Sequence, residues 1–271
     1  MSSNQEQIEY WNDRAGETWA ELQDRLDALL APLSAAALAA AEVRPGDHVL
    51  DVGCGCGDTS IAMSAMGAKV LGVDVSAPML ARARSRDASI EYQQADAATT
   101  DFARAFDLVF SRFGVMFFDD AAAAFQNLHN ALTSDGRLLF VCWQPPARNP
   151  WMATAGRAIA PYLPSSDEAP NSRAPGPFAF ADARYVEQIL QDAGFSRIRI
   201  KSHEESLKVA DTLAEAVQFQ TRVGPAARVI AELEGDKRAQ ALAAVEDALR
   251  PFDRGSGLHL DSAVWLVSAE A

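Results

Sequence analysis

The stretch Val49-Leu50-Asp51-Val52-Gly53-Cys54-Gly55-Cys56-Gly57-Asp58-Thr59-Ser60 decides the fold. The apolar run from His48 to Val52 reads as a buried strand, and three glycines at alternate positions then turn the chain into a helix near Asp58. Glycine suits such a turn because it accepts unusual dihedrals and lets a ligand come close to the backbone. The helix that follows presents its first N–H groups to the turn, so the segment is a strand–glycine loop–helix built to hold a small molecule.

A dinucleotide-binding loop of the form G-x-G-x-x-G would carry a third glycine where Asp58 stands, and a phosphate-cradling loop would end in Gly-Lys-Ser/Thr. Neither pattern is present. Asp51 and Asp58 bracket the loop instead. That charge suits a ligand with a cationic end, and S-adenosylmethionine (SAM), with its sulfonium and ammonium groups, fits it.

Four further segments extend the reading: Val70-Leu71-Gly72-Val73-Asp74-Val75-Ser76-Ala77-Pro78-Met79-Leu80, then Gln94-Ala95-Asp96-Ala97, then Phe106 to Phe118, then Leu132 to Trp143 with Asp135-Gly136-Arg137. With Val49–Gly57, their order and spacing resemble the class I SAM-dependent methyltransferases, specifically the ubiquinone/menaquinone-biosynthesis-type (methyltransferase type 11) branch. The resemblance covers Tyr10 to Trp143 well and the remainder loosely. It implies a cofactor site made of Asp51, Gly53, Cys54, Gly55 and Gly57 in the loop, with Asp74, Val75, Met79, Asp96, Ala97 and Ser111 beyond it. Tyr10 and Trp11 would close over the cofactor as a lid. Asp96 would accept from the adenine amino group while the Ala97 N–H serves a ring nitrogen. Cys56 departs mildly from the family, where small or hydroxyl residues are usual.

Independently of the resemblance, Asp74 lies 23 residues after Asp51 (74 − 51) and ends the second strand. An acid about 20 residues past a glycine loop commonly accepts from ribose hydroxyls. Val75 and Met79 are placed to sandwich the adenine ring, though methionine there also suits plain core.

The formal net charge of −13 over 271 residues argues against nucleic acid as substrate and against docking on an anionic membrane. Residues 1–9 show no secretory h-region, and the low-polarity stretch 31–41 is broken by Pro32 and too short to span a bilayer. The three cysteines, Cys54, Cys56 and Cys142, make no disulfide framework, which points to the cytoplasm. A Cys-x-Cys pair with no second ligand pair makes a metal site unexpected.

The expected fold is α/β: a doubly wound, mostly parallel seven-stranded sheet with an antiparallel last strand and helical lid insertions. Strands are expected at 48–52, 69–73, 90–94, 106–111 and 137–142, with helices at 58–66, 78–86 and 121–132 between them. A helical pattern runs from Ile8 to Ala41. Residues 144–180 carry eight prolines, a loop interrupted by a short helix at 151–160. A helix at 182–193, a strand near 197–203, helices within 211–249 and a last strand at 263–267 follow. The expected organisation is one methyltransferase domain over 1–271, with an N-terminal helical lid at 1–45. Its core takes 46–143, 182–206 and 261–271, and its insertions take 144–181 and 207–260.

Methyl transfer is an in-line displacement at a carbon already activated by sulfonium, so orientation and exclusion of water supply much of the catalysis. A general base matters only for a weakly acidic hydroxyl or an ammonium acceptor, and His203 and His259, flanking the last two strands, are the candidates. The small-molecule acceptor is expected to meet Arg112, Phe113, Met116 and Phe117, with Asn149, Trp151 and Phe180 from the long loop. An Arg beside aromatic residues suits a carboxylate or phenolate. Phe113, Met116 and Phe117 also suit core packing. Two competing readings stay open: a non-catalytic SAM-binding or interaction protein, and a nicotinamide-dependent dehydrogenase, the latter disfavoured by Asp58. The residues do not indicate the oligomeric state.

Overall fold

The structure, a computed structural model, describes residues 4–103, 105–162 and 173–271. Pro164 and Pro170 of the expected long loop lie outside the described residues. In chain order the elements are helices α1 (Gln5–Asn12), α2 (Arg14–Glu21) and α3 (Gln23–Ala41), then β1 (His48–Val52), α4 (Asp58–Ala65), β2 (Lys69–Asp74), α5 (Ala77–Arg86), β3 (Glu91–Gln94), β4 (Phe106–Arg112), α6 (Ala121–Ala131) and β5 (Leu132–Trp143). There follow α7 (Pro150–Ile159), α8 (Ala183–Asp192), β6 (Ser196–Ala210), α9 (Leu213–Gln220), α10 (Pro225–Glu232), α11 (Gly235–Leu249) and β7 (Leu258–Glu270).

Their contacts group the described residues into two compact units: 4–144, 173–203 and 264–271 in the first, and 145–162 with 204–263 in the second. The long strands β6 and β7 divide their residues between the two.

One seven-stranded sheet has the order β3-β2-β1-β4-β5-β7-β6. β1 pairs in parallel with both β2 and β4, β4 pairs in parallel with β5, and β7 runs antiparallel to β5. Val49, Leu50, Leu108, Val109 and Phe110 are fully buried, as strands covered by helices on both faces must be. The strand order reverses between β1 and β4, and ligands of such sheets bind beyond the carboxyl ends at that point. Arg137 locks the opposite end: it donates to the Ala41 and Glu42 carbonyls and to Asp47 Oδ2 at 2.6 Å. Burial pushes the Asp47 carboxyl up, but the hydrogen bonds from Arg137 and Arg44 outweigh it and hold the group below its ordinary value.

The continuous helical pattern expected over 8–41 is three helices. Asp13 adopts an extended conformation (φ −95°, ψ −159°) that separates α1 from α2. β6 and β7 are longer than their apolar cores indicate, because their polar residues alternate onto an exposed face.

In the second unit, Asn149 is fully buried before α7 and pairs with β7 as a strand residue would. Its Nδ2 donates to the Ala263 carbonyl and its Oδ1 accepts from the Ala263 N–H, both at 2.9 Å. Trp151, Ile159, Phe219, Ile230, Val245 and Leu249 are buried there.

Candidate cofactor site

At the end of β1 the N–H groups of Gly53 and Cys54 both donate to the Val73 carbonyl, at 2.8 and 3.1 Å, which folds the loop back onto β2. Gly53, Gly55 and Gly57 hold φ of +68°, +55° and +81°, the left-handed region that favours glycine. A Cβ on Gly53 would lie 2.6 Å from Gly114 Cα, so the backbones after β1 and β4 touch.

Asp51 is fully buried under this loop. Its Oδ2 accepts from Thr59 Oγ1 at 2.8 Å and Ser60 Oγ at 2.6 Å, while its Oδ1 has no partner among the described residues. Burial pushes its carboxyl up to about 6, against the pull of the Ser60 and Thr59 hydroxyls. The sequence reading did not single out Thr59 and Ser60, whose hydroxyls hold the Asp51 carboxylate. They stand in the quoted stretch, eight and nine positions after the strand acid, as hydroxyls in the first turn of the following helix.

Asp74 is half-buried and joins two loops: Oδ2 accepts from the Gly55 N–H and Oδ1 from the Ser76 N–H, each at 2.8 Å. Desolvation raises its pKa, with those backbone hydrogen bonds opposing. Each carboxylate oxygen keeps acceptor capacity for a second donor. The Met79 side chain is buried and packs at Gly55, where an added Cβ would meet its Cε at 2.8 Å.

Beyond β3, Asp96 shapes its own turn: Oδ1 accepts from the Ala98 N–H at 3.0 Å, and the Asp96 carbonyl accepts from the N–H groups of Thr99 and Thr100. Asp96 Oδ2 is buried without a partner among the described residues. Asn127 on α6 props this loop by donating to the Ala97 and Thr100 carbonyls. The sequence reading missed Asn127 because a polar residue on an amphipathic helix reads as surface.

The N-terminal helices cover the loop after β2. Asn12 donates to the Val75 carbonyl at 2.8 Å and accepts from the Ala77 N–H, and Ser76 Oγ donates to the Trp11 carbonyl at 2.7 Å. Trp11 sits edge-on to Tyr10, Trp19 and Phe117, with centroids 5.2 to 5.7 Å apart. Tyr10 is 44% exposed at the rim of this aromatic group.

Ser111 is wholly buried and works as a staple. Its hydroxyl donates to the Val52 carbonyl at 2.7 Å and accepts from the N–H groups of Gly114 and Val115. Arg112 turns into a charge cluster: Nη1 donates to Ser34 Oγ at 2.6 Å and to Asp58 Oδ2 at 2.9 Å, and Nη2 lies 3.7 Å from Asp27. Arg86 completes the cluster, 3.1 Å from Asp27 and 3.7 Å from Asp58, and it also donates to the Cys56 carbonyl. This corrects the reading of Asp58 as a bracket for a cationic ligand: two arginines take up its charge. The guanidinium expected at an acceptor anion is likewise engaged.

Phe113 holds φ +66° and stacks on Trp143 at 4.1 Å with rings 3° from parallel. A left-handed phenylalanine costs about 1–2 kcal/mol, so the stack fixes a disfavoured backbone beside the β1–β4 crevice. Met116 is buried and Phe117 half-buried. Phe180 is 2% exposed in an aromatic group with Phe125 and Phe140. Asn149 and Trp151 belong to the core of the second unit. His203 lies in the first unit and His259 in the second.

The thiols of Cys54 and Cys56 are buried, and burial raises Cys54 well above its ordinary value and Cys56 to about 12. Neither is a thiolate at neutral pH. Among the described residues no group of side chains forms a metal site, and no helix is long and apolar enough to cross a membrane.

The buried acceptors Asp51 Oδ1 and Asp96 Oδ2, the Asp74 carboxylate and the close-packed glycine loop suit a ligand that offers donors along its length. A methyltransferase-domain family model matches residues 49–136. An uncharacterized protein of Mycobacterium tuberculosis (strain ATCC 25618 / H37Rv) is 32% identical over 221 residues, covering 79% of this chain and 77% of its own. The chain belongs to the class I SAM-dependent methyltransferases. The cofactor of this family is SAM.

The malonyl-[acyl-carrier protein] O-methyltransferase of Enterobacter lignolyticus (strain SCF1) is 39% identical over 139 residues, 49% of this chain and 52% of that one. Two solved structures share the methyltransferase fold. The YcgJ protein of Bacillus subtilis superposes with a TM-score of 0.57 at 18% identity, over 88% of this chain and 97% of its own. Phosphoethanolamine N-methyltransferase 2 of Haemonchus contortus, solved with SAM, gives 0.53 at 20% identity over 88% of this chain. The match spans 52% of that longer protein.

Proposed function

We propose that this methyltransferase moves the SAM methyl group to a small-molecule acceptor by in-line displacement, within the ubiquinone/menaquinone-biosynthesis-type branch. The observation that carries the reading is the row of acid acceptors along the strand ends, Asp51, Asp74 and Asp96, two of them with a buried unpartnered oxygen. Asp51 faces the methionine end, Asp74 the ribose hydroxyls and Asp96 with Ala97 the adenine edge. Gly53, Cys54, Gly55 and Gly57 admit the cofactor against the backbone, Val75 and Met79 flank the purine, and Ser111 keeps the β1 and β4 ends in contact.

When bound, SAM supplies a methyl carbon already activated by its sulfonium charge. The chain's task is to orient the acceptor and exclude water. Tyr10 and Trp11, held on the β2 loop through Asn12 and Ser76, serve as the lid. Phe113, Met116 and Phe117 form the apolar side of the acceptor site, and Arg112 sets its position through Asp58. Phe180 is packed with Phe125 and Phe140, and Asn149 and Trp151 lie in the core of the second unit, so these residues are given no contact with the acceptor. His203 or His259 would serve as base only for an acceptor that must lose a proton.

A related protein named for phosphoethanolamine supports a small polar acceptor. The net charge of −13 agrees with no nucleic-acid substrate, and three buried free thiols agree with a reducing cytoplasm. Incubation with methyl-labelled SAM and a cell extract tests the reading. Label should enter a small-molecule fraction; label only in macromolecules, or tight NAD binding without SAM binding, would overturn it.

A further inference from the structure

Asn4, just before α1, is 5% exposed, although nothing in its sequence context marks it. Its Nδ2 donates to Asp96 Oδ1 at 3.3 Å across 92 positions of chain. That carboxylate oxygen already accepts from the Ala98 N–H and belongs to the turn. The carboxamide orientation follows from the contact, since an amide oxygen turned toward a carboxylate would set two acceptors against each other. Among the described residues two buried acceptors on this joined pair have no partner: Asn4 Oδ1 and Asp96 Oδ2.

A buried acceptor is unfavourable until a donor reaches it. Two of them, on groups already linked by a hydrogen bond, call for a ligand group with two N–H donors. An exocyclic amine on a purine ring has them; a 6-oxo purine would oppose oxygen to both.

We propose that Asn4 reads adenine. Asn4 Oδ1 and Asp96 Oδ2 accept the two hydrogens of the cofactor's 6-amino group, so the residue selects 6-amino over 6-oxo and 6-unsubstituted purines. The proposal rests on the assignment of Asp96 to the adenine edge. It gives the N-terminal segment a share in recognition beyond covering: α1 is held on the β2 loop through Asn12 and Trp11, which places Asn4 at Asp96.

The test is calorimetric, on the full chain, with S-adenosylhomocysteine (SAH) and its analogue lacking the 6-amino group. The unmodified protein should prefer SAH by about 10- to 100-fold, the scale on which a hydrogen-bonding site rejects a ligand that leaves its groups unpaired. Asn4→Ala should cut that preference about tenfold by weakening SAH while binding the analogue as before. Equal weakening of both ligands would make Asn4 a packing residue, and tighter SAH binding would make it a competitor for Asp96; either overturns the proposal. Asp96→Ala is the separate check on the underlying assignment. If that variant binds SAH with the full preference intact, the adenine edge is elsewhere and the Asn4 proposal falls with it. If it loses the preference while Asn4→Ala retains it, only the Asn4 proposal falls.

Discussion

Asp51 stands one residue before the end of β1 and Asp74 is the last residue of β2, yet their surroundings give them different work. Asp74 already accepts two backbone N–H groups, so it is both a ligand acid and a clamp between loops. Asp74→Ala is expected to lower SAM affinity by about 10- to 100-fold, the scale of hydrogen bonds to a charged group, and to destabilise the fold by about 1–2 kcal/mol. Calorimetry and urea unfolding measure the two effects, and Asp74→Asn should recover part of the second. Asp51 makes a pH prediction. Its folded pKa of about 6 exceeds the unfolded 3.8, so between these values the folded chain holds a proton that the unfolded chain has released. Its contribution to stability is therefore favourable at low pH and is lost as pH rises from about 4 through 6, by up to ~3 kcal/mol. Urea midpoints for Asp51→Asn should lack this decline. Asp47 has the opposite sign: its depressed pKa adds stability above the ordinary carboxylate range, and that stability is lost as pH falls through the folded value.

Among the elements, an asparagine ties α1 to the loop after β2, and another pairs the start of α7 with β7. Asn12 joins α1 to the loop after β2 through two hydrogen bonds. Asn12→Ala should release this cover: hydrogen exchange over residues 4–22 should quicken about 5- to 10-fold, with SAM binding weakened and the sheet as protected as before. An unchanged exchange pattern would show that the aromatic contacts of Trp11 suffice. Asn149 is buried, and its removal leaves the Ala263 N–H and carbonyl unpaired. Asn149→Ala should cost about 2–4 kcal/mol in denaturant unfolding, well beyond the usual surface substitution. Because both asparagines bond to backbone, glutamine at either position should rescue little.

For the whole molecule, ligand linkage is the plainest expectation. SAH at a hundred times its dissociation constant should raise the unfolding free energy by about 2.7 kcal/mol and the melting temperature with it, while NAD should leave both unchanged. The first unit contains the glycine loop, Asp74, Asp96 and the covering helices together, so this stabilisation is a test of that unit. The charge cluster of Asp27, Asp58, Arg86 and Arg112 lies in the same unit and joins α3, α4, α5 and β4 around the loop.

The alternation of apolar strands with amphipathic helices and the glycine spacing were enough to determine the α/β class and a mostly parallel sheet from sequence, because periodicity and short fixed offsets are visible one segment at a time. The cofactor family and the antiparallel last strand came instead from the resemblance of five segments, taken together, to the class I methyltransferases. Only the tertiary structure decided where the polar side chains are used. Arg112 reads as an acceptor-binding residue beside aromatics, but α3 brings Asp27 and Ser34 to it from 78 or more positions away. Phe180 reads as a site aromatic in an irregular loop, but it is packed with Phe125 and Phe140. Asn4, Asn12 and Asn127 were not singled out from sequence, and Asn149 was read as an acceptor-site residue although it pairs with Ala263, because an asparagine's partner is a backbone or carboxylate group whose position is set by folding. Periodicity records which face of an element is buried; it does not record which distant group meets a side chain there.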